Sequence, residues 1–455
     1  MKKINLLFPI LLISVLVFQS CKKDDSEVPQ KSEPIEDDGL SLESEQSQLL
    51  NNNLDDLESG LLKDYLDTSN LPELEKYVVL FKSEFQPPLA DVIDKSLDDR
   101  LSVSMIHERN AKNSMAVYVK DIVAQEDILD WFSVLSSGFH AELTPKQVKA
   151  LYSDRNVKCV AIPPTYESDS EPIFNRANTS GNFVHGYKSG AGKKKAIWII
   201  DKGPSLTVDG LNIDQAKSAQ FYGASRSYTS HGTSVAITAA GEPRFSSQVR
   251  GTAPGAKVVL INTNLGWVSL EKALEYTFNN SRKGDIVNCS FSTGLNRGYK
   301  NRVHPLVVDL ESSLLKFWGW DQPVVIAAGN QNTFASNRTP ARLGMKYKDN
   351  RSKYGFIYVC ANIQAVGTDQ EIKSQNCTFK LNTAAKSNYG RAIRYGLIGD
   401  CQTYAGSVSG TSLSAPALCG ILYHRTPSVS KPKEYEEWVR HFVGKYAYIY
   451  KVPKF

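Results

Sequence analysis

Ser409-Gly410-Thr411-Ser412-Leu413-Ser414-Ala415-Pro416-Ala417 is the stretch that decides how the rest of the chain is read. A serine preceded by Gly-Thr and followed by small residues and a proline reads as the opening turn of a helix. The backbone N–H groups of such a turn have no intrahelical acceptor and carry the positive end of the helix dipole, so they favour negative charge forming beside the serine. An N-capping role explains one serine. It does not explain two other stretches far upstream.

The first of these is Ser230-His231-Gly232-Thr233-Ser234-Val235-Ala236, in which a histidine opens an apolar helix over Val235–Ala240 and Gly232 permits another chain to approach the imidazole closely. The second is Ile199-Ile200-Asp201-Lys202-Gly203, where a carboxylate ends an apolar run and a turn glycine follows. Between and beyond them, short unbroken apolar runs (Ala196–Ile200, Val258–Ile261, Ile286–Cys289, Val324–Ala327 and Ile357–Val359) alternate with longer segments such as Leu270–Asn279. Continuous apolar strands between helices predict a parallel sheet covered on both faces, with its site at the carboxyl ends of the strands.

With these residues in place, the chain resembles the subtilisin-like serine proteases. Asp201, His231 and Ser412 follow the chain order of that family's triad. Gly251-Thr252-Ala253-Pro254-Gly255-Ala256 resembles the turn after the histidine helix, and Ala327-Ala328-Gly329-Asn330 resembles the oxyanion-hole segment. The resemblance spans about residues 75–425. It implies an α/β, three-layer, parallel-sheet catalytic domain and an endopeptidase acting through an acyl-enzyme on polypeptide substrates. It assigns catalysis to Asp201, His231 and Ser412, and the oxyanion hole to Asn330. Substrate would lie as an added strand between Thr263–Trp267 (Thr263, Leu265, Gly266, Trp267) and Ser290–Gly294 (Ser290, Ser292, Gly294), with Ala328 and Gly329 nearby. Trp267 is expected either to cover an apolar subsite or to pack as an ordinary aromatic. One departure stands out: the family has Thr or Ser after the aspartate, and this chain has Lys202. Its ammonium either pairs with Asp201 or reaches solvent on its long stem. The usual His-Pro turn is also missing from Pro204–Ser230. A catalytically weak or inactive scaffold that binds peptides is therefore the alternative.

Upstream, "YVVLFK" from Tyr77, "GFHAELTPKQVKAL" from Gly138 and "VKCVAIPP" from Val157 outline a small α+β unit. Strands are expected at Tyr77–Phe81, Ser114–Lys120, Ser136–Leu143 and Val157–Ile162. A helix is expected after Thr144, its N-cap, with Pro145 at the first helical position and Val148 and Leu151 turned inward. In this order and position the unit resembles the ferredoxin-like inhibitory propeptide of the same family, which implies that the chain carries its own intramolecular inhibitor.

Met1-Lys2-Lys3, the apolar run Leu6–Phe18 and then Ser20-Cys21 read as a signal peptide too short for a comfortable span. They resemble a bacterial lipoprotein signal with Cys21 as lipid anchor, and Lys22-Lys23-Asp24-Asp25 resembles a surface-directing tag. The expected divisions are 1–21 signal, 22–74 acidic tether with a weak helical stretch near Leu54–Tyr65, 75–165 propeptide-like domain, 166–190 linker with a processing site, 191–430 catalytic domain and 431–455 a tail of helix plus strand. The location expected is the outer membrane or cell surface, with shedding after processing as one outcome.

The 455 residues carry a formal charge of only +5, from 53 basic and 48 acidic side chains, which argues against nucleic acid as a partner. Of the seven cysteines, Cys289 and Cys419 sit in apolar runs as core residues, and one pair is expected among Cys360, Cys377 and Cys401. No CxxC or HExxH is present. No cofactor or metal is expected; calcium stays open.

Overall fold

The computed structural model describes residues 65–82, 97–168, 171–172, 187–223, 225–243, 250–295, 303–317, 322–349, 355–366, 378–383, 386–403, 406–424, 436–443 and 446–453. The leader, Cys21, Leu54–Asp64 and Cys377 lie outside them, and so does the whole stretch from 173 to 186.

The amino-terminal unit is a four-stranded antiparallel sheet in the order β2-β3-β1-β4, from β1 (Glu75–Phe81), β2 (Ile128–Phe132), β3 (Gly138–Leu143) and β4 (Val157–Ala161), with helices α1 (Leu97–Val119) and α2 (Pro145–Ser153). Thr144 caps α2 in a full capping box with Gln147, Pro145 opens the helix, and Val148 and Leu151 are buried. Ser114–Lys120 is not a strand. Ala111, Met115 and Val119 are buried at a spacing of four, while Val117 is 65% exposed, so the stretch completes a helical stripe. The second strand is Ile128–Phe132 instead. Ahead of β1, Leu66 and Leu71 already pack against this core.

The period of two along β1 gives it two duties. Tyr77, Val79 and Phe81 join Met115, Phe139 and Leu151 in the unit's own core. Val78 and Leu80 face the other way, into the main core of the chain beside Phe132, Trp267 and Leu270.

Two short strands, β5 (Glu167–Ser168) and β6 (Glu171–Pro172), lead out of this unit. The main sheet follows. Its strands are β7 (Ala196–Lys202), β8 (Asn212–Ile213), β9 (Ala219–Phe221), β10 (Lys257–Thr263), β11 (Ile286–Cys289), β13 (Val324–Ala327), β15 (Ile357–Val366), β16 (Thr378–Leu381), β17 (Tyr395–Ile398), β20 (Glu436–Val443) and β21 (Tyr446–Pro453). Their order is β20-β21-β17-β15-β13-β11-β7-β10-β8, with β9 beside β10 and β16 beside β15. Pairing is parallel from β8 through β21, and β20 returns antiparallel to β21. The expected carboxy-terminal helix is thus a hairpin that extends the sheet. Smaller pieces are β12 (Phe291–Gly294), β14 (Arg338–Thr339), β18 (Asp400–Thr403) and β19 (Gly406–Ser409).

Helices α4 (Trp267–Asn280) and α5 (Pro305–Leu315) cover one face; α3 (His231–Ala240) and α7 (Thr411–His424) cover the other, and α6 (Gly344–Asp349) is short. Alternation along β7 feeds both layers. Trp198 and Ile200 join the first core, and Ile197 and Ile199 join the second, with Val235, Ala239, Leu413 and Ala417. Burying each Ile, Val or Leu among them contributes roughly 1.5–3 kcal/mol. Cys159, Cys289, Cys360 and Cys419 are buried, and the thiol of Cys360 is free, so Cys360 is a core residue and not half of a bridge. Among the described residues no helix is long and apolar enough to cross a membrane.

Candidate active site

Strands β7, β11 and β13 are neighbours, and their carboxyl ends carry the candidate residues. Asp201 is the penultimate residue of β7 and fully buried. Its Oδ1 accepts the backbone N–H of Lys202 at 2.6 Å and faces His231 Nδ1 at 2.7 Å. The His231 ring is 9% exposed. His231 is the first residue of α3, whose N-cap is Ser230: its hydroxyl accepts from Thr233 N at 3.2 Å. Gly232 lets the helix start touch β7, since a Cβ there would lie 3.0 Å from the Lys202 carbonyl and 3.1 Å from Asp201 Cβ.

Lys202 takes the solvent option. Its residue is exposed, and among the described residues it makes no ion pair with Asp201. Asp201 Oδ2 has no hydrogen-bond partner among the described residues. Asn262 shapes the turn by accepting the Gly203 N–H at 2.7 Å.

Ser412, the second residue of α7, is held from two sides. Its carbonyl accepts the Ser290 hydroxyl at 2.8 Å, just past the end of β11. The preceding N–H, of Thr411, donates to Asn330 Oδ1 at 3.0 Å, just past the end of β13. That bond fixes the Asn330 amide with its Nδ2 as the remaining donor group. Gly329, at φ +93°, donates its N–H to Thr411 Oγ1 at 3.0 Å. Asn388 was not singled out from the sequence. It braces the same turn, donating to the Ala328 carbonyl and accepting from Gln331 and Thr333 N–H.

The expected substrate-flanking segments already hold a strand, and it is the chain's own. Trp267 N donates to the Pro164 carbonyl at 2.9 Å, Thr165 bridges Gly266, and Tyr166 N donates to the Leu265 carbonyl at 2.7 Å. On the other side β5 pairs antiparallel with β12, Ser168 opposite Phe291 and Glu167 opposite Ser292. Further on, β6 pairs with β19, Glu171 opposite Ser409 and Pro172 opposite Val408. The stretch expected as open linker from residue 166 therefore begins as paired strands.

Not every expected cleft residue faces this segment. Thr263 is buried and supports the turn, Ser290 holds Ser412, and Gly294 pairs with Arg338. Ala328 and Gly329 spend their backbone groups on Cys360, Asn388 and Thr411. In the intact chain Trp267 is fully buried: it donates Nε1–H to the Leu306 carbonyl at 2.6 Å and stands edge-on to Phe132 of the amino-terminal unit.

The amino-terminal sheet docks on α4 and α5 through polar contacts as well as apolar ones. Glu275 accepts the backbone N–H groups of Ser133, Val134 and Leu135 at 3.0, 2.9 and 3.3 Å. The Ser136 hydroxyl lies 2.7 Å from Glu271 and 2.6 Å from Asp309. Among the described residues no group of His, Cys, Asp and Glu is arranged to hold a metal ion.

A parallel α/β sheet carrying an Asp–His pair and a helix-opening serine at neighbouring strand ends has the parts that a serine hydrolase needs. The chain belongs to the subtilase family, whose family model matches residues 207–439. That range includes His231, Asn330 and Ser412 and begins just after Asp201. No curated protein matches the sequence significantly. Among solved structures, the chain is similar to the epidermin leader peptide processing serine protease of Staphylococcus aureus, at 14% identity and a TM-score of 0.51, covering 77% of this chain and 88% of that one. A mutant of the same protease gives 14% and 0.52, with 77% and 89% covered. A cold-adapted subtilisin-like serine proteinase is 19% identical with a TM-score of 0.36, covering 55% and 78%. The first two likenesses show a shared fold.

Proposed function

We propose that this subtilase is an exported, surface-anchored endopeptidase that cuts peptide bonds with Asp201, His231 and Ser412. The observation that carries the reading is the 2.7 Å bond between His231 Nδ1 and buried Asp201, on the strand next to the one whose end holds Ser412. Ser412 Oγ attacks the carbonyl carbon while His231 Nε2 takes its proton and later gives it to the leaving amine. Asp201 holds the imidazole in the Nδ1–H tautomer and stabilises the imidazolium. Negative charge on the former carbonyl oxygen is met by Asn330 Nδ2 and the Ser412 N–H. Water then releases the acyl group.

Residues 75–165 are the inhibitory propeptide in this reading. The sheet rests on α4 and α5, and its exit segment fills the strand position a substrate needs, with Ser412 fully buried. The intact chain is thus the self-blocked precursor. Cys21 as lipid anchor and the outer membrane or cell surface as location rest on the sequence of the leader.

The test is digestion of unfolded casein by the chain lacking residues 1–21, beside Ser412→Ala, with intact mass followed over time. Cleavage by the parent only, with a self-cut after residue 165, is the expected result. Silence from both folded proteins sinks the reading in favour of a peptide-binding scaffold.

A further inference from the structure

Arg338 opens β14, the strand that pairs with β12 on the side of Thr293 and Gly294. Its side chain is 14% exposed. One terminal nitrogen donates to Ser292 Oγ at 3.2 Å and to Glu167 Oε2 at 3.4 Å. Its Nε is buried with no hydrogen-bond partner among the described residues. Glu167 belongs to the segment lying in the cleft, and it is the one carboxylate paired with Arg338 among the described residues. Beside it, Tyr166 is buried edge-on to Phe291 at 5.8 Å. The Glu167 side chain is itself 70% exposed; when that segment departs, Arg338 loses its one paired carboxylate among the described residues, and a cation at the cleft wall favours an incoming anion.

Resting on the function proposed above, we propose that Arg338 makes the cleft selective for a carboxylate on the amino side of the cut, and that the first such substrate is the chain's own Thr165–Pro172. Ser168 is anchored opposite Phe291 and Glu171 opposite Ser409. Ser290, adjacent to the first anchor, bonds Ser412, and Ser409 stands just before the Ser412 helix. The proposed self-cut falls between these two anchors, at one of the three bonds joining Ser168 to Glu171. Ser412 Oγ bonds to that carbonyl carbon, the C–N bond breaks, the amine leaves with the proton carried by His231, and water hydrolyses the ester. The preferred substrates are acidic peptides with an aromatic residue just before the acidic one, as in Tyr166-Glu167.

Two measurements test this on the chain lacking residues 1–21. Amino-terminal sequencing of the self-cut enzyme is expected to begin at Asp169, Ser170 or Glu171; a start elsewhere overturns the assignment. The cut enzyme is then given the peptide spanning Pro164–Phe174 and its Glu167→Ala and Glu167→Lys versions. The parent peptide is expected to exceed the alanine version in kcat/KM by roughly five- to tenfold, between an exposed and a buried ion pair. Arg338→Glu is expected to reverse the order in favour of lysine, and the peptide series on the unaltered enzyme stands even if that variant misfolds. Equal rates on all three peptides by an enzyme that digests casein overturn this inference alone. Silence toward casein and every peptide overturns the proposed function with it.

Discussion

Lys202 serves Asp201 through its backbone and not through its charge: its N–H donates to Oδ1 at 2.6 Å while its side chain is exposed. Removing the ammonium should therefore do little to catalysis. Lys202→Ala is expected to keep kcat/KM within about twofold, since an exposed charge without a partner contributes little. Lys202→Thr supplies a hydroxyl beside the unpartnered Oδ2 and is expected to stabilise the fold by about 1 kcal/mol in urea unfolding. A tenfold fall in Lys202→Ala would show that the ammonium acts on the pair after all.

Asn330 gives Oδ1 to Thr411 and so presents Nδ2. Asn330→Leu keeps the volume and removes the donor. The expected loss is about 10²–10³ in kcat with KM little changed, a magnitude taken from the same kind of substitution in a subtilisin. A loss confined to KM would place Asn330 in binding instead.

Gly232 sits where α3 meets β7. A Cβ there would press on the Lys202 carbonyl, Pro204 and Asp201. Gly232→Ala is expected to move His231 away from its partners, and displacements of about 1 Å can cost on the order of 100-fold in rate. Activity should fall far more than the urea midpoint does.

Beneath the cleft, Arg342 and Glu311 form a buried bidentate pair at 2.7–2.9 Å, and Thr339, next to Arg338, donates to the same carboxylate. Arg342→Leu leaves Glu311 buried and uncompensated and is expected to cost about 3–5 kcal/mol. Adding Glu311→Leu should recover most of that loss. No recovery in the double variant would mean that the leucines fail to pack there.

The docking contacts predict a pH dependence. The Ser136 hydroxyl stands between two buried carboxylates, those of Glu271 and Asp309, within 2.7 Å of each. Burial first, then Asp309 and Glu275, hold the Glu271 carboxyl well above its usual range, and burial raises Glu275. The part of each shift that comes from burial under the amino-terminal sheet is lost on release, so docking takes up protons at these two carboxylates, against Lys316, which burial lowers at the same contact. It is strongest at and below the ordinary carboxylate range and weakens as pH rises through the raised values. After the self-cut, the amino-terminal unit is expected to dissociate faster at pH 8 than at pH 5, read by the recovery of peptidase activity. The opposite order would refute this account.

The parts of the site that announce themselves in the sequence are those where one residue type has few alternatives. Gly-Thr-Ser before small residues, His-Gly-Thr and an aspartate ending Ala-Ile-Trp-Ile-Ile are such places, and the helices and sheet fell where their apolar runs put them. What stayed hidden has physical reasons. Met115, Val117 and Val119 alternate like a strand, and only the burial of Ala111 and Met115 against an exposed Val117 shows a helix. Arg338 lies in an ordinary Asn-Arg-Thr-Pro loop, and its meaning depends on Glu167, far away in sequence. Tyr166 was the available signal, a lone aromatic at the start of a polar stretch.

The double duty of β1 sets a limit on how long the amino-terminal unit would last if released as the proposed inhibitor. Away from α4 and α5, the amino-terminal unit would carry Val78, Leu80, Phe132 and Ala161 into water as one apolar face. A unit of about 90 residues with one face of its sheet uncovered has little stability to spare, and local opening gives a protease its foothold. In the proposed function the unit is thus a perishable part: it would keep its shape while seated and be consumed once it left, which would make activation a one-way event timed by the first departure.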